Sequence, residues 1–255
     1  MMSPAGALSP APRSSTARWL AAACALLMCL GFLALGTWQL YRLQWKLALI
    51  ERVDQRVHAP AVAAPVAAAW PAVSKESDEY RHVSLQGHYL DGADALVQAT
   101  TGYGSGFWLL SPFCTAEGAI VFVNRGFVMP SHAKPVVSGA AVCAPAAPAQ
   151  TITGLLRLPE PKGGYLRNND PAADRWFSRD VAAIAAARKL GAVAPYFVDR
   201  EADPAPPRAG EPIGGLTVVS FVNNHLVYAL TWYALALLAA GGAWLVLRAG
   251  KSAGA

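Results

Sequence analysis

Two long uncharged apolar runs bracket the chain. Residues 19–41 lie between Arg18 and Arg42, and residues 226–247 lie between His225 and Arg248, with no charged residue inside either run. At about 1.5 Å per residue each run makes a helix of roughly 33–35 Å, enough to cross a hydrocarbon core of about 30 Å. Two membrane-spanning helices are therefore expected, over 18–41 and 223–247. Past the first, Leu43, Leu47, Ile50 and Val53 recur at helical spacing against Arg42, Lys46, Arg52 and Gln55, which continues the helix as an amphipathic arm. Pro60, Pro65 and Pro71 then break an Ala-rich stretch, so 42–79 reads as that arm followed by a linker.

From Tyr80 the hydrophobic period shortens toward two. Segments 81–87, 95–99, 107–113, 120–128, 151–158 and 196–199 read as strands, punctuated by Asp91-Gly92 and by Pro145 and Pro148. One helix of the domain is marked by Ser178 as N-cap, Asp180 in the first turn, Arg188 and Lys189 in the last, and Gly191 as the stop. The expected fold is a membrane protein with two transmembrane α-helices and an intervening α+β extramembrane domain over 80–222, mainly antiparallel sheet or a small barrel. The Pro/Ser/Ala-rich residues 1–17 are expected to be a disordered tail, and 248–255 a second tail.

The net charge of +5 matters by its placement. All 16 acidic residues fall between Glu51 and Glu211 with 15 of the 21 basic ones, so the excess is Arg13, Arg18, Arg42, Lys46, Arg248 and Lys251, which flank the apolar runs. That distribution reads as membrane flanking and speaks against nucleic acid as a partner. Arg248 and Lys251 follow the second run, and no Lys or Arg lies between Glu211 and Leu247, which places the C-terminus in the cytoplasm. Two spans then put the N-terminus there as well, with the domain on the far side.

Four cysteines divide by environment. Cys24 and Cys29 sit within the first span as packing residues, while Cys114 and Cys143 sit in the domain. A bridge between the latter is permitted in an oxidising compartment, but their spacing fits no zinc or thioredoxin pattern and leaves two free thiols as the plainer reading.

No nucleophile elbow, Walker loop, His-Glu-x-x-His helix or Cys-x-x-Cys pair is present, so an enzyme is the least supported class. Gly102-Tyr103-Gly104-Ser105-Gly106 precedes a strand rather than a helix and reads as a loop. His82 and His88 share one strand face without a third ligand beside them. His225 is the sharper object. It is either an imidazole solvated at the membrane surface or a ligand for iron in a large apolar macrocycle. Tyr228 and Trp232 follow it at i+3 and i+7, on its helix face, and Asn223 and Asn224 stand as caps before it. Asn124 and Arg125 close a strand as candidate partner-binding residues, where an Arg can pair with carboxylates or a haem propionate or knit the domain to itself.

Three strings, in this order, carry a family likeness: residues 36–46 (GTWQLYRLQWK), 122–128 (FVNRGFV) and 223–233 (NNHLVYALTWY). They resemble the surfeit locus (Surf/Shy) protein family of cytochrome c oxidase assembly factors, and the likeness covers about residues 30–240. Met129 departs from it, standing where the family usually has proline. The resemblance implies an assembly factor or chaperone of the respiratory chain, not an enzyme, that assists maturation of haem-copper oxidase subunit I. It further implies a haem a carrier in a bacterial inner membrane, both termini cytoplasmic and the domain periplasmic, working between haem a synthase, membrane lipid and the oxidase. His225 matches the proposed axial ligand of the haem iron. Tyr228 and Trp232 are an aromatic wall beside it, and Trp38 and Arg42 match first-span positions that could face the same haem. Two other readings remain: an assembly chaperone acting by protein contacts alone, and a membrane-tethered periplasmic ligand-binding sensor.

Overall fold

The structure, a computed structural model, describes residues 15–134, 142–144, 149–164, 166–219 and 221–251. Of the expected tails, 1–14 and 252–255 lie outside the described residues, as do Pro145 and Pro148, while 15–17 and 248–251 belong to the long helices. Two units make up the chain, one gathering the two long helices and the other comprising Glu51–Val219. Helix α1 (Ser15–His58) contains the first apolar run and carries on through the amphipathic arm without a break. The Glu51–Val219 unit contains β1 (Val62–Ala63), α2 (Lys75–Asp78), β2 (His82–Tyr89), β3 (Ala95–Thr101), β4 (Gly104–Thr115), β5 (Ile120–Val128), β6 (Gln150–Arg157), β7 (Gly163–Gly164), β8 (Arg167–Asn168), α3 (Val181–Ala187) and β9 (Val193–Arg200). Helix α4 (His225–Lys251) holds the second apolar run. Both long helices are long and apolar enough to cross a membrane.

The sheet closes on itself. Strands β2, β6, β9, β5 and β4 pair in that order, and β4 pairs again with β2, so five strands form a small barrel. Four of those five pairings are antiparallel, and β5–β9 is parallel. Closure runs through Gly87, which faces Thr115 of β4 and Gln150 of β6 at once. A Cβ there would lie 2.0 Å from the carbonyl oxygen of Cys114, so no side chain fits where the strand is shared. Strand β3 hangs outside the ring on β4. Their hairpin turns on Gly102 and Tyr103 alone, and Gly104 and Gly106 belong to β4. The expected Gly-rich loop is thus mostly strand, because the turn needs only two residues.

The apolar run of β5 reflects burial on both faces. Val121 and Val123 point into the barrel with Tyr196 and Val198 of β9, while Phe122 and Phe197 point outward beneath α3, against Val181, Ile184 and Trp176. A strand covered on both sides loses the polar half of its alternation. The linker covers part of the barrel wall. Trp70 packs on the inner cluster, and Trp70 Nε1 and the Tyr196 hydroxyl both donate to the carbonyl of Pro65, at 3.1 and 2.7 Å. Burial pushes the Tyr196 hydroxyl up to about 12.

Around α3 the expected caps shift by two residues. Asp180 is the N-cap, its carboxylate accepting from the Ala183 N–H at 3.1 Å. Ser178 instead donates to the Glu160 carbonyl at 2.6 Å. Lys189 rather than Gly191 takes the left-handed conformation, with φ 54°. Arg188 is buried and reaches Asp174 and the Asp94 carbonyl, because tertiary partners outcompete the helix end for its guanidinium.

Cys114 and Cys143 form a disulfide, with their Cα atoms 5.2 Å apart. This corrects the free-thiol reading: Cys114 is the penultimate residue of β4, and the returning chain brings Cys143 beside Ala119, a proximity that a 29-residue spacing does not encode. Alkylation of the unreduced, denatured protein is therefore expected to modify only Cys24 and Cys29, and all four cysteines after reduction. Full modification without reductant would contradict the bridge.

A buried ionic chain lies across β5, β6 and β9. Asp199 accepts from Asn124 Nδ2 at 2.8 Å, Arg157 at 2.9 Å, Thr217 at 2.9 Å and Arg179 at 3.3 Å. Arg157 also reaches Glu79 at 2.9 Å, and Arg179 reaches Glu160. Burial alone would lower the Arg157 guanidinium, but the Asp199 and Glu79 carboxylates raise it. Burial would likewise raise Glu160, yet the hydrogen bond and charge of Arg179 hold it below the usual carboxylate range.

Candidate functional site

The two family strings that end the first apolar run and begin the second meet between α1 and α4. Between residues 22 and 46 of α1 the less exposed positions are Ala22, Ala25, Cys29, Phe32, Gly36, Gln39, Leu43 and Lys46, and on α4 they are His225, Ala229, Trp232, Tyr233, Ala236, Ala239, Ala243 and Val246. With the adjacent pair Trp232 and Tyr233 taken together, both series advance by steps of three and four, the seam spacing of helices that pack side by side. Ala22, Ala229 and Ala236 are buried, and small residues there let the two backbones approach in lipid. Leu26, Leu27, Leu237 and Leu238 point away and are exposed, as a hydrocarbon solvent requires.

The seam ends in a polar and aromatic cluster. His225 opens α4, and its N–H finds the side-chain oxygen of Asn223 at 3.4 Å, while the Asn224 carbonyl accepts from the Tyr228 N–H at 3.1 Å. Both asparagines thus serve the helix entrance. His225 Nδ1 lies 2.7 Å from Gln39 Oε1. Trp232 stacks on Phe32, centroids 5.7 Å apart and 27° between planes. The Tyr233 hydroxyl meets Thr37 Oγ1 at 3.1 Å, and its ring covers Gly36, where a Cβ would sit 2.8 Å from Tyr233 Cε1.

Of the expected haem-site residues, His225 and Trp232 face this seam. Tyr228 is 55% exposed and Trp38 53% exposed, on the outward faces of their helices. Arg42 stands over the ring of Trp45, 4.6 Å from its centroid, and is exposed too. Gln39, Tyr233, Thr37 and Phe32 have no role in a reading based on His225 alone. Phe32 and Gln39 stand at three-and-four spacing about Gly36, and Tyr233 at that spacing between Ala229 and Ala236, whereas Thr37 lies next to Gly36 and carries no such signal.

In the domain, Asn124 and Arg125 part company. Asn124 is buried, donating to Asp199 and accepting from the Gly126 N–H at 3.2 Å, so its amide is engaged inside the barrel wall. Arg125 is half-buried with its guanidinium 4.6 Å over the ring of Tyr89. It has no ion-pair partner among the described residues, and it lines a cavity of about 420 Å³ with Asp94, His132 and Lys134.

His82 is tied to the Ala59 carbonyl at 2.7 Å and to Glu201 at 2.9 Å. Among the described residues no three His, Cys, Asp or Glu side chains gather as a metal cage. A single imidazole suits a metal that brings its other ligands, as an iron porphyrin brings four ring nitrogens. His225 fits that demand, because its Nε2 has no hydrogen-bond partner among the described residues.

Fold and site together define a membrane-anchored five-stranded barrel protein whose two lipid-crossing helices hold one imidazole on their seam. Residues 26–237 match the SURF1 family. Surfeit locus protein 1 of Mus musculus is 30% identical over 217 residues, covering 79% of this chain and 67% of the mouse protein. The Xenopus tropicalis protein of that name is 30% identical over 254 residues, 89% of this chain and 76% of its own. The Homo sapiens one is 30% identical over 220 residues, 79% and 69%. The chain belongs to the SURF1 family, a family of assembly factors, and its role lies in cytochrome c oxidase assembly.

Proposed function

We propose that this protein carries haem a to subunit I of a haem-copper oxidase, with His225 as the axial ligand. Haem a is amphiphilic and needs a protected route from haem a synthase to the oxidase. When bound, the haem would supply only its own iron and porphyrin; the protein's task is to hold and release it. The observation that supports this most is the His225–Gln39 contact, which engages Nδ1 and leaves Nε2 without a hydrogen-bond partner among the described residues. The protein sits in a bacterial inner membrane with both termini cytoplasmic and the domain periplasmic, a compartment in which the Cys114–Cys143 bridge persists.

Expressed while haem a synthesis is active, the purified protein is expected to show haem a bands in its visible spectrum. His225→Ala is expected to purify without them. Full haem a content in that variant would overturn the ligand assignment.

A second reading, assembly through protein contact without haem, is supported by Arg125. A half-buried guanidinium without an acid partner among the described residues, beside a cavity, is poised for a carboxylate of another protein. If oxidase assembly fails on Arg125→Ala and survives His225→Ala, this second reading replaces the first.

A further inference from the structure

One ring nitrogen of His225 is already committed. Gln39 Oε1, 2.7 Å from Nδ1, can only accept, so Nδ1 carries the proton. A neutral imidazole then keeps its lone pair on Nε2. Gln39 is able to present that oxygen because its stretch of α1 is held in register with α4. Thr37 bonds Tyr233, Gly36 lies beneath the same ring, and Phe32 stacks on Trp232.

We infer that Gln39 is a positioning residue for His225, fixing the Nδ1–H tautomer and leaving Nε2 as the ring nitrogen that binds. What Nε2 binds rests on the haem-carrier reading; the tautomer does not. Metal-binding histidines commonly donate their second N–H to an oxygen acceptor, which fixes ring orientation and raises ligand basicity. Carboxylates do this most strongly. A neutral amide gives the orientation with a weaker push, which suits a ligand that must be handed on. In lipid the amide also avoids placing a charge beside the neutral imidazole.

The test uses the full-length protein in micelles, made without haem a synthesis and labelled with ¹⁵N-histidine. Wild type is expected to show a protonated Nδ1 and an unprotonated Nε2 for His225. Gln39→Glu, which offers an acceptor oxygen in either protonation state, is expected to keep that tautomer. Gln39→Leu is expected to lose it. Titration with purified haem a is expected to show affinity falling about 10–100-fold in Gln39→Leu. Gln39→Glu should bind at least as tightly as wild type. A protonated Nε2 in wild type, or a Gln39→Leu protein with unchanged tautomer and affinity, overturns the inference. If His225→Ala binds haem a as wild type does while the tautomer pattern holds, the carrier reading fails and the positioning role of Gln39 stands.

Discussion

Replacing Asp199 with alanine is expected to destabilise the barrel by about 3–5 kcal/mol, the usual penalty for removing one partner of a buried ion pair. The carboxylate is 3% exposed and lies between two arginines. Its loss leaves Asn124, Thr217 and the inner faces of Arg157 and Arg179 without their acceptor. Glu79 and Glu160 continue to hold the outer sides of the two arginines, so the barrel weakens without losing every ionic tie. For a chain of this size such a loss corresponds to a drop in melting temperature of roughly 6–20 °C. Thermal unfolding of the full-length protein in micelles, followed by tryptophan fluorescence, measures it. A change below about 1 kcal/mol, the worth of a surface pair, would show that the network is not structural.

Gly126→Val is expected to be of similar size, about 3–5 kcal/mol, from backbone strain and lost hydrogen bonds together. Gly126 has φ 131°, which a β-branched residue does not tolerate, and a Cβ there would lie 2.2 Å from the Ile213 carbonyl oxygen. The strand and the returning chain are joined at that point by two bonds, Phe127 N–H to Ile213 and Ile213 N–H to Phe127, each 2.9 Å. A side chain must push them apart. Alanine makes the same first-atom clash, so Gly126→Ala is expected to lose most of that stability, by the same melt. A fully stable Gly126→Val protein would mean that the Ile213 segment can leave β5 freely. Within Asn124-Arg125-Gly126, the outer two residues thus hold the wall, and Arg125 is the member left facing a cavity.

Much of the architecture is readable in local patterns because the local pattern is its cause. Uncharged runs long enough to span lipid become α1 and α4, and segments bounded by turn residues become β2, β3, β5 and β6 close to their expected limits. His225 stands out because a lone ionisable ring at the head of an apolar run is conspicuous in any order of reading. The cap of α3 is misread by two residues because Ser178 and Asp180 are both good caps, and the choice between them depends on Glu160 and Asn169 reaching Ser178. The disulfide is undecidable from the sequence for a related reason: whether two thiols meet across 29 residues depends on where a sheet returns its chain.

Hydrophobic periodicity, charge placement and three ordered strings were enough to establish the membrane anchors, a sheet-rich domain between them, the family and a histidine of interest. Each is a property of neighbours along the chain or of the solvent that a segment requires. Tertiary contact alone set the closure of the barrel at Gly87, the parallel pairing of β5 with β9, the burial of Asp199 among arginines and the pairing of Gln39 with His225. Those features join residues up to 186 positions apart. Composition does not say which distant groups will share a few ångströms; that follows from how strands and helices pack once formed.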